Sequence, residues 1–302
     1  MHSLDAMRIY ARVAELASFT RAAESLGIPK ASVSNAVQLL ESTLGTQLLH
    51  RTTRRVEMTQ DGRVFYERCK DLLADMDELQ TMFRQGEQVL RGRLRIDMPS
   101  GVARNFVIPR LPQLLREHPQ LELEISSTDR LVDLVREGFD CVLRIGNLED
   151  SSLIARRLGF FRVVNCASPG YLKTHGTPRR LEDLARHQLI HYVTTLGAKS
   201  PGWEYFDGRT YRSLRMPGAI TVNNIEAYEA CCVAGLGLIQ APAAGVRHLI
   251  EQGLLVEVLT QHQAEPMPVS LLYAHRRNLS KRVQAFMAWM AAGLAPYLDP
   301  VG

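Results

Sequence analysis

The sequence predicts an α+β chain of several domains: a small helical unit with a short hairpin, a long connecting helix, and a larger α/β module. Three observations carry this. Residues 20–44 form two apolar-periodic segments broken at Gly27-Ile28-Pro29, and "RRVEM" then alternates in character. Phe65, Cys69, Leu72, Met76, Leu79 and Phe83 recur at spacings of 4, 3, 4, 3 and 4, which is the seam of a long helix. After Gly92 the chain changes to β-rich runs alternating with helical ones, the pattern of an α/β sheet.

The elements follow in order. Residues 4–17 form a helix that is apolar over a wide arc, with only Asp5, Arg8, Arg12 and Glu15 as a polar stripe; such a helix packs on two sides. Thr20 is the expected N-cap of the next helix, and Gly27 its left-handed C-cap. From Lys30, the residues Val33, Ala36, Val37 and Leu40 share one face. Lys30, Ala31, Ser32, Ser34, Asn35 and Gln38 stand away from it, and short polar side chains can enter a groove and bond base edges or phosphates. Helix, glycine turn, helix is the pattern of a helix-turn-helix. A plain helical hairpin with a solvated face gives the same pattern, and the flanks favour the DNA reading. A hairpin turning near Thr52 and Thr53 would present Arg51, Arg54 and Arg55 together beside that helix, suited to phosphate contacts or minor-groove insertion. Thr59 then caps a helix of about 28 residues, which would span roughly 40 Å. Its seam from Phe65 to Phe83 predicts a dimer, which would place two DNA half-sites about a two-fold axis.

Composition bounds the function. The chain has 302 residues, 46% hydrophobic and 23% charged, with a formal net charge of +4, a balance that permits a nucleic-acid partner without demanding one. Its five cysteines lack CxxC spacing and its nine histidines lack HExxH spacing, so neither a metal site nor a disulfide framework is expected. No GxGxxG or P-loop stands in the chain, and no enzyme activity or cofactor is expected. No membrane span or signal peptide is read; the expected compartment is the cytoplasm.

The run "FTRAAESLGIPKASVSNAVQLLESTLGTQLLHRTTRRVEMTQDG" resembles the winged helix-turn-helix of LysR-type transcriptional regulators. The motifs AA-x-x-L-G, V-S-x-x-V-x-x-L-E, L-G-x-x-L-x-x-R and T-x-x-G fall in register. The sequence departs from the pattern at Asn35, where the family usually carries Arg, and at Lys30, where many members carry a capping Ser or Thr. The resemblance implies a winged helix-turn-helix over 1–59, a dimerising linker helix over 60–91 and an effector-binding domain over 92–302. That domain would be two α/β subdomains similar to type 2 periplasmic binding proteins, one from 92–162 with 268–302 and the other from 163–267, with a ligand cleft between them. The implied partners are an inverted-repeat DNA operator, a second copy of the chain with a tetramer left open, and RNA polymerase if the protein activates.

Ligands of open sheets bind beyond the carboxyl ends of strands. That rule selects Ser100, Gly101 and Val102, Ser127 and Thr128, Gly146 and Asn147, and Asn223 and Asn224 at the start of a helix. Ser100 and Asn224 are equally readable as helix caps. Arg144 sits in the apolar strand "CVLRIG" and must be paired if buried, with Asp97 and Asp140 as structural candidates and a small organic anion as the functional one. A redox-responsive regulator using cysteines and an effector-independent repressor are the alternative readings.

Overall fold

The computed structural model describes residues 3–51, 56–81, 90–148, 153–274 and 279–300. The chain divides into two compact units, Met1–Arg93 with His118–Glu122, and Leu94–Glu117 with Leu123–Gly302.

In the first unit, α1 (Ser3–Leu16), α2 (Phe19–Leu26) and α3 (Lys30–Leu44) pack around one core, followed by the antiparallel pair β1 (Leu49–Arg51) and β2 (Val56–Met58), then α4 (Gln60–Thr81). The N-cap of α2 is Ser18, whose Oγ accepts from the Arg21 N–H at 3.3 Å. This corrects the expectation of Thr20: both can cap, but the helix begins two residues earlier, with Phe19 packed against the core. Gly27 adopts φ 66° and closes α2, where a Cβ would be strained. Pro29 precedes α3 with no side-chain cap. Glu41 accepts from the N–H groups of Leu48 and Leu49 at 2.9 and 3.1 Å, so this helix anchors the hairpin's first strand.

The motif Thr59-x-x-Gly62 has a steric reason. Thr59 Oγ1 accepts from the Gly62 N–H at 2.8 Å, and the buried Tyr10 hydroxyl donates to the Gly62 carbonyl at 2.8 Å. A Cβ on Gly62 would stand 2.0 Å from the Leu48 carbonyl oxygen, so only glycine allows α4 to start against β1.

The first turns of α4 serve this domain. Cys69 is 2% exposed within the helical core, and Phe65 packs on the same cluster with its ring 5.5 Å from that of Tyr10. This corrects the assignment of Phe65 and Cys69 to a dimer seam, because 4-3 spacing serves an intramolecular face as well as an intermolecular one. Leu72 is 46% exposed and Met76 is half-buried. The side chain of Leu79 and all of Phe83 lie outside the described residues, as do Thr52, Thr53, Arg54, Arg55 and the side chain of Arg51.

The second unit holds two larger sheets and two strand pairs among the described residues. The first has strand order β4 (Gln120–Ser127), β3 (Arg91–Met98), β5 (Cys141–Ile145), β14 (Met267–Ala274), β6 (Leu153–Phe161). β3 and β5 run parallel, while β14 runs antiparallel to both β5 and β6. The sheet is therefore mixed: β14 re-enters the sheet from the other subdomain and arrives in the opposite direction. The second sheet has order β12 (Ile239–Pro242), β7 (Val163–Ala167), β13 (Val256–Glu257), both neighbours antiparallel to β7. The chain passes between sheets at Arg162, between β6 and β7, and again between β13 and β14.

After β3 the sequence predicts one continuous helix to Glu117. The structure breaks it into α5 (Ser100–Val102), a π-helical turn (Ala103–Val107), a 3-10 turn (Ile108–Arg110) and α6 (Leu111–Glu117). Pro109 and Pro112 lack the amide hydrogens a regular helix needs there. α7 (Leu134–Glu137) is short, and Asp133 caps it by accepting from its Val135 and Arg136 N–H groups. The second subdomain adds α8 (Pro169–His175), two small strand pairs, β8 (His191–Tyr192) with β11 (Thr221–Val222) and β9 (Trp203–Phe206) with β10 (Tyr211–Leu214), then α9 (Ile225–Val233) and α10 (Ala243–Glu251). α11 (Lys281–Leu294) is capped by Ser280.

Candidate functional site

On the first unit, α3 buries Val33, Ala36, Val37 and Leu40. The opposite side leaves Lys30, Ala31, Asn35 and Gln38 exposed, with Ser32 and Ser34 half-buried beside them. This follows from the 3.6-residue period: apolar positions at i, i+3, i+4 and i+7 turn the intervening polar ones outward. The short polar side chains thus form one solvent-facing strip on a helix packed against α1 and α2.

In the second unit a cleft of about 760 Å³ opens between the two sheets. Its wall is mostly apolar, with Val102, Phe106, Val142, Phe161, Val193 and Ile225 among the lining residues. Of the residues expected from the sequence, the structure brings Gly101, Val102, Thr128, Arg144, Gly146 and Asn147 to this wall. It does not bring Ser100, Ser127, Asn223 or Asn224 there. Ser127 ends β4 on the exposed side, one residue out of phase with Thr128. Ser100 is taken by Asp129: its N–H donates to Oδ1 at 3.0 Å and its hydroxyl lies 3.2 Å from Oδ2. Asn224 caps α9, accepting from the Ala227 N–H at 3.1 Å, and Asn223 is exposed.

Arg144 is positioned by strand register. Asp97 on β3 pairs with Val142 on β5, so Arg144, two residues on, shares that face of the sheet. Its Nη1 lies 2.8 Å from Asp97 Oδ1, and both side chains are nearly or fully buried. The contact is an ion pair set off the hydrogen-bond direction, since Nη1 donates to the Leu143 carbonyl at 3.0 Å and Oδ1 has no aligned donor. Asp97 Oδ2 accepts from Thr128 Oγ1 at 3.1 Å. Asp97 is thus the structural partner, and Arg144 Nη2 remains buried with no partner among the described residues.

The cleft also contains groups that the sequence does not single out. Tyr192 and Tyr228 line it, and burial pushes both phenols up. Gln240 is held by Asn165 at 2.8 Å and by both backbone groups of Glu204. Glu229 is pushed up by burial, opposed by Arg104, whose Nη2 donates to it at 2.8 Å. Lys199 stands exposed on the lining. These cleft residues, Tyr192 to Gln240, lie 94 to 142 positions beyond the end of β3, and no short motif links them; only the crossing at Arg162 could have suggested that they face it.

The four buried thiols do not favour redox chemistry. Burial pushes Cys141 and Cys166 up to about 12 and Cys69 up to about 11, and raises Cys232 as well. Reactive cysteines need the opposite shift. Among the described residues there is no cluster able to hold a metal ion, and no helix is long and apolar enough to cross a membrane.

Two family models match the chain. Residues 4–63 match the bacterial regulatory helix-turn-helix protein of the lysR family, and residues 87–295 match the LysR substrate binding domain. The chain is 46% identical over 299 residues to the uncharacterized HTH-type transcriptional regulator YhjC of Escherichia coli K12, covering 99% of this chain and all of that one. It is 32% identical to the HTH-type transcriptional activator AaeR of the same strain, with 94% and 91% of the two chains covered. Among solved structures, CrgA, a LysR-type transcriptional regulator from Neisseria meningitidis, superposes with a TM-score of 0.61 at 28% identity, covering 96% of this chain and 98% of that one. Full-length AphB of Vibrio cholerae gives 0.58 at 27% identity, with 97% and 99% covered. The chain therefore belongs to the LysR family: it is a DNA-binding transcription regulator with an N-terminal helix-turn-helix and a C-terminal effector-binding domain.

Proposed function

We propose that a small organic anion with an apolar body is the effector, and that it binds in the cleft with its acid group against Arg144. The observation that carries this reading is Arg144 Nη2, a buried cationic donor without a hydrogen-bond partner among the described residues, on a mostly apolar wall. A buried donor left unmade is costly, and a carboxylate satisfies a guanidinium nitrogen strongly. The regulator then acts from the cytoplasm as a homodimer on an inverted-repeat operator, with RNA polymerase as a further partner if it activates. Base edges are read by Ser34, Asn35 and Gln38, and backbone is held by Lys30 and by Arg51, Arg54 and Arg55. The exposed Leu72 supports pairing through the outer part of α4.

The test is calorimetric titration of the full chain with a panel of mono- and dicarboxylates. Arg144→Met alone strands Asp97, so the paired variant Asp97→Asn with Arg144→Met is the proper comparison. Binding by wild type that the paired variant loses supports the reading. A tight neutral or cationic effector, bound equally by both, would overturn it.

A further inference from the structure

The two subdomains of the effector module touch along one edge of the cleft through charged groups. Asp129 follows β4 in the first subdomain. Its Oδ2 accepts from the N–H of Ile225 at 2.6 Å, the first residue of α9 in the second subdomain. The same carboxylate accepts from the Ser100 N–H and hydroxyl. Asn224 supplies the ordinary cap of α9 through Ala227, so Asp129 satisfies a different orphan donor and adds a negative charge at the positive end of the helix. Arg104, on the π-helical turn, pairs with Glu226 and Glu229 of α9. Asn105 donates to the Gly245 carbonyl of α10 at 3.3 Å. Gly101 stands close to the Ile225 side chain, where an added Cβ would lie 3.4 Å away.

We infer that Asp129 is an internal latch: its carboxylate, bridging Ser100 and the first turn of α9, holds the two subdomains together at this edge before any effector binds. The inference does not require an effector, but it deepens the effector reading at one point. Arg144 contacts Asp97, Asp97 accepts from Thr128, and Thr128 is the chain neighbour of Asp129. An anion drawn to Arg144 pulls on that short series, and the latch is the two-position element at its end. Arg104 and Asn105 brace the same edge, so release of Asp129 loosens the edge without opening it freely. A carboxylate on three donors has two discrete arrangements, bonded or solvated, and that discreteness is what a switch requires.

The test reads the bond directly and needs no effector. Amide hydrogen exchange is followed in full-length wild type, Asp129→Ala and Asp129→Asn, on a peptide covering the start of α9 and on one from α11. In Asp129→Ala, exchange at the start of α9 should rise roughly tenfold, with α11 unchanged. Asp129→Asn, which keeps an acceptor without the charge, should fall between. Acetate added to Asp129→Ala should slow exchange at the start of α9 again, with chloride at equal ionic strength inactive. Acetate should do the same when Asp97→Asn and Arg144→Met are also present, which separates the latch from the Arg144 seat. Unchanged exchange in a folded Asp129→Ala protein would overturn the latch, whatever the calorimetry says of the effector. Loss of protection in α11 as well as α9 in both variants would also overturn it, by showing a general structural role.

Discussion

Arg144→Met offers the sharpest energetic test, because the structure makes the consequence large and specific. Asp97 has no exposed surface, and among the described residues its only other side-chain donor is Thr128 Oγ1. Removing the guanidinium leaves an ionised carboxylate in an apolar sheet, and breaking a buried pair from one side costs about 3–5 kcal/mol. For a unit of this size that corresponds to a fall of roughly 6–20 °C in Tm. Asp97→Asn with Arg144→Met removes the stranded charge and should recover at least half of the loss. Urea unfolding of the three proteins measures all of this. An Arg144→Met protein within about 1 kcal/mol of wild type, no better when Asp97→Asn is added, would refute the view of Arg144 and Asp97 as a coupled buried pair.

Gln38→Ala should lose about 1–3 kcal/mol on the cognate operator and relax preference at one position, whereas Arg54→Ala should weaken binding to all sequences and reduce the salt slope by about one; titrations on operator and random DNA separate the two. Leu72→Asp should dissociate the dimer in sedimentation while leaving the helical domain folded, because Leu72 is exposed within one chain. Cys69→Asp should instead unfold that domain, since burial there leaves no room for a charge. His187 is buried, its Nδ1 is 3.2 Å from the Tyr171 hydroxyl, and burial lowers its pKa, with His175 adding to the effect. Its contribution is complete above about pH 6.5, the unfolded value, and falls as pH drops below it because the unfolded chain takes the proton first. His187→Gln should flatten Tm against pH in that range.

The sequence carried the fold where local chemistry was decisive. Gly27 could only close a helix, and the apolar face of α3 could only face a core. It misled where two physical solutions share one pattern. The 4-3 spacing at Phe65 and Cys69 fits a core within the chain as well as a partner, and only the position of Tyr10 decides between them. The segment from Val102 reads as helix until Pro109 and Pro112 are weighed. In the cleft, strand ends located Thr128, Arg144 and Gly146, because that rule depends on topology alone. Ser100 and Asn224 failed as lining residues because their caps and the Asp129 carboxylate had a prior use for them. Asp129, Tyr192 and Gln240 were illegible: their roles arise from two subdomains meeting, and no spacing within the sequence encodes that meeting.

Enrichment of bound sequences from a random DNA pool tests the central claim most directly, that the polar strip of α3 reads base edges in a paired regulator. The full-length protein should enrich an inverted repeat whose half-sites lie about one helical turn or a multiple apart, and Gln38→Ala should enrich the same repeat with one position relaxed in each half. A pool that stays random with wild type, or an identical motif from wild type and Gln38→Ala, would contradict the account.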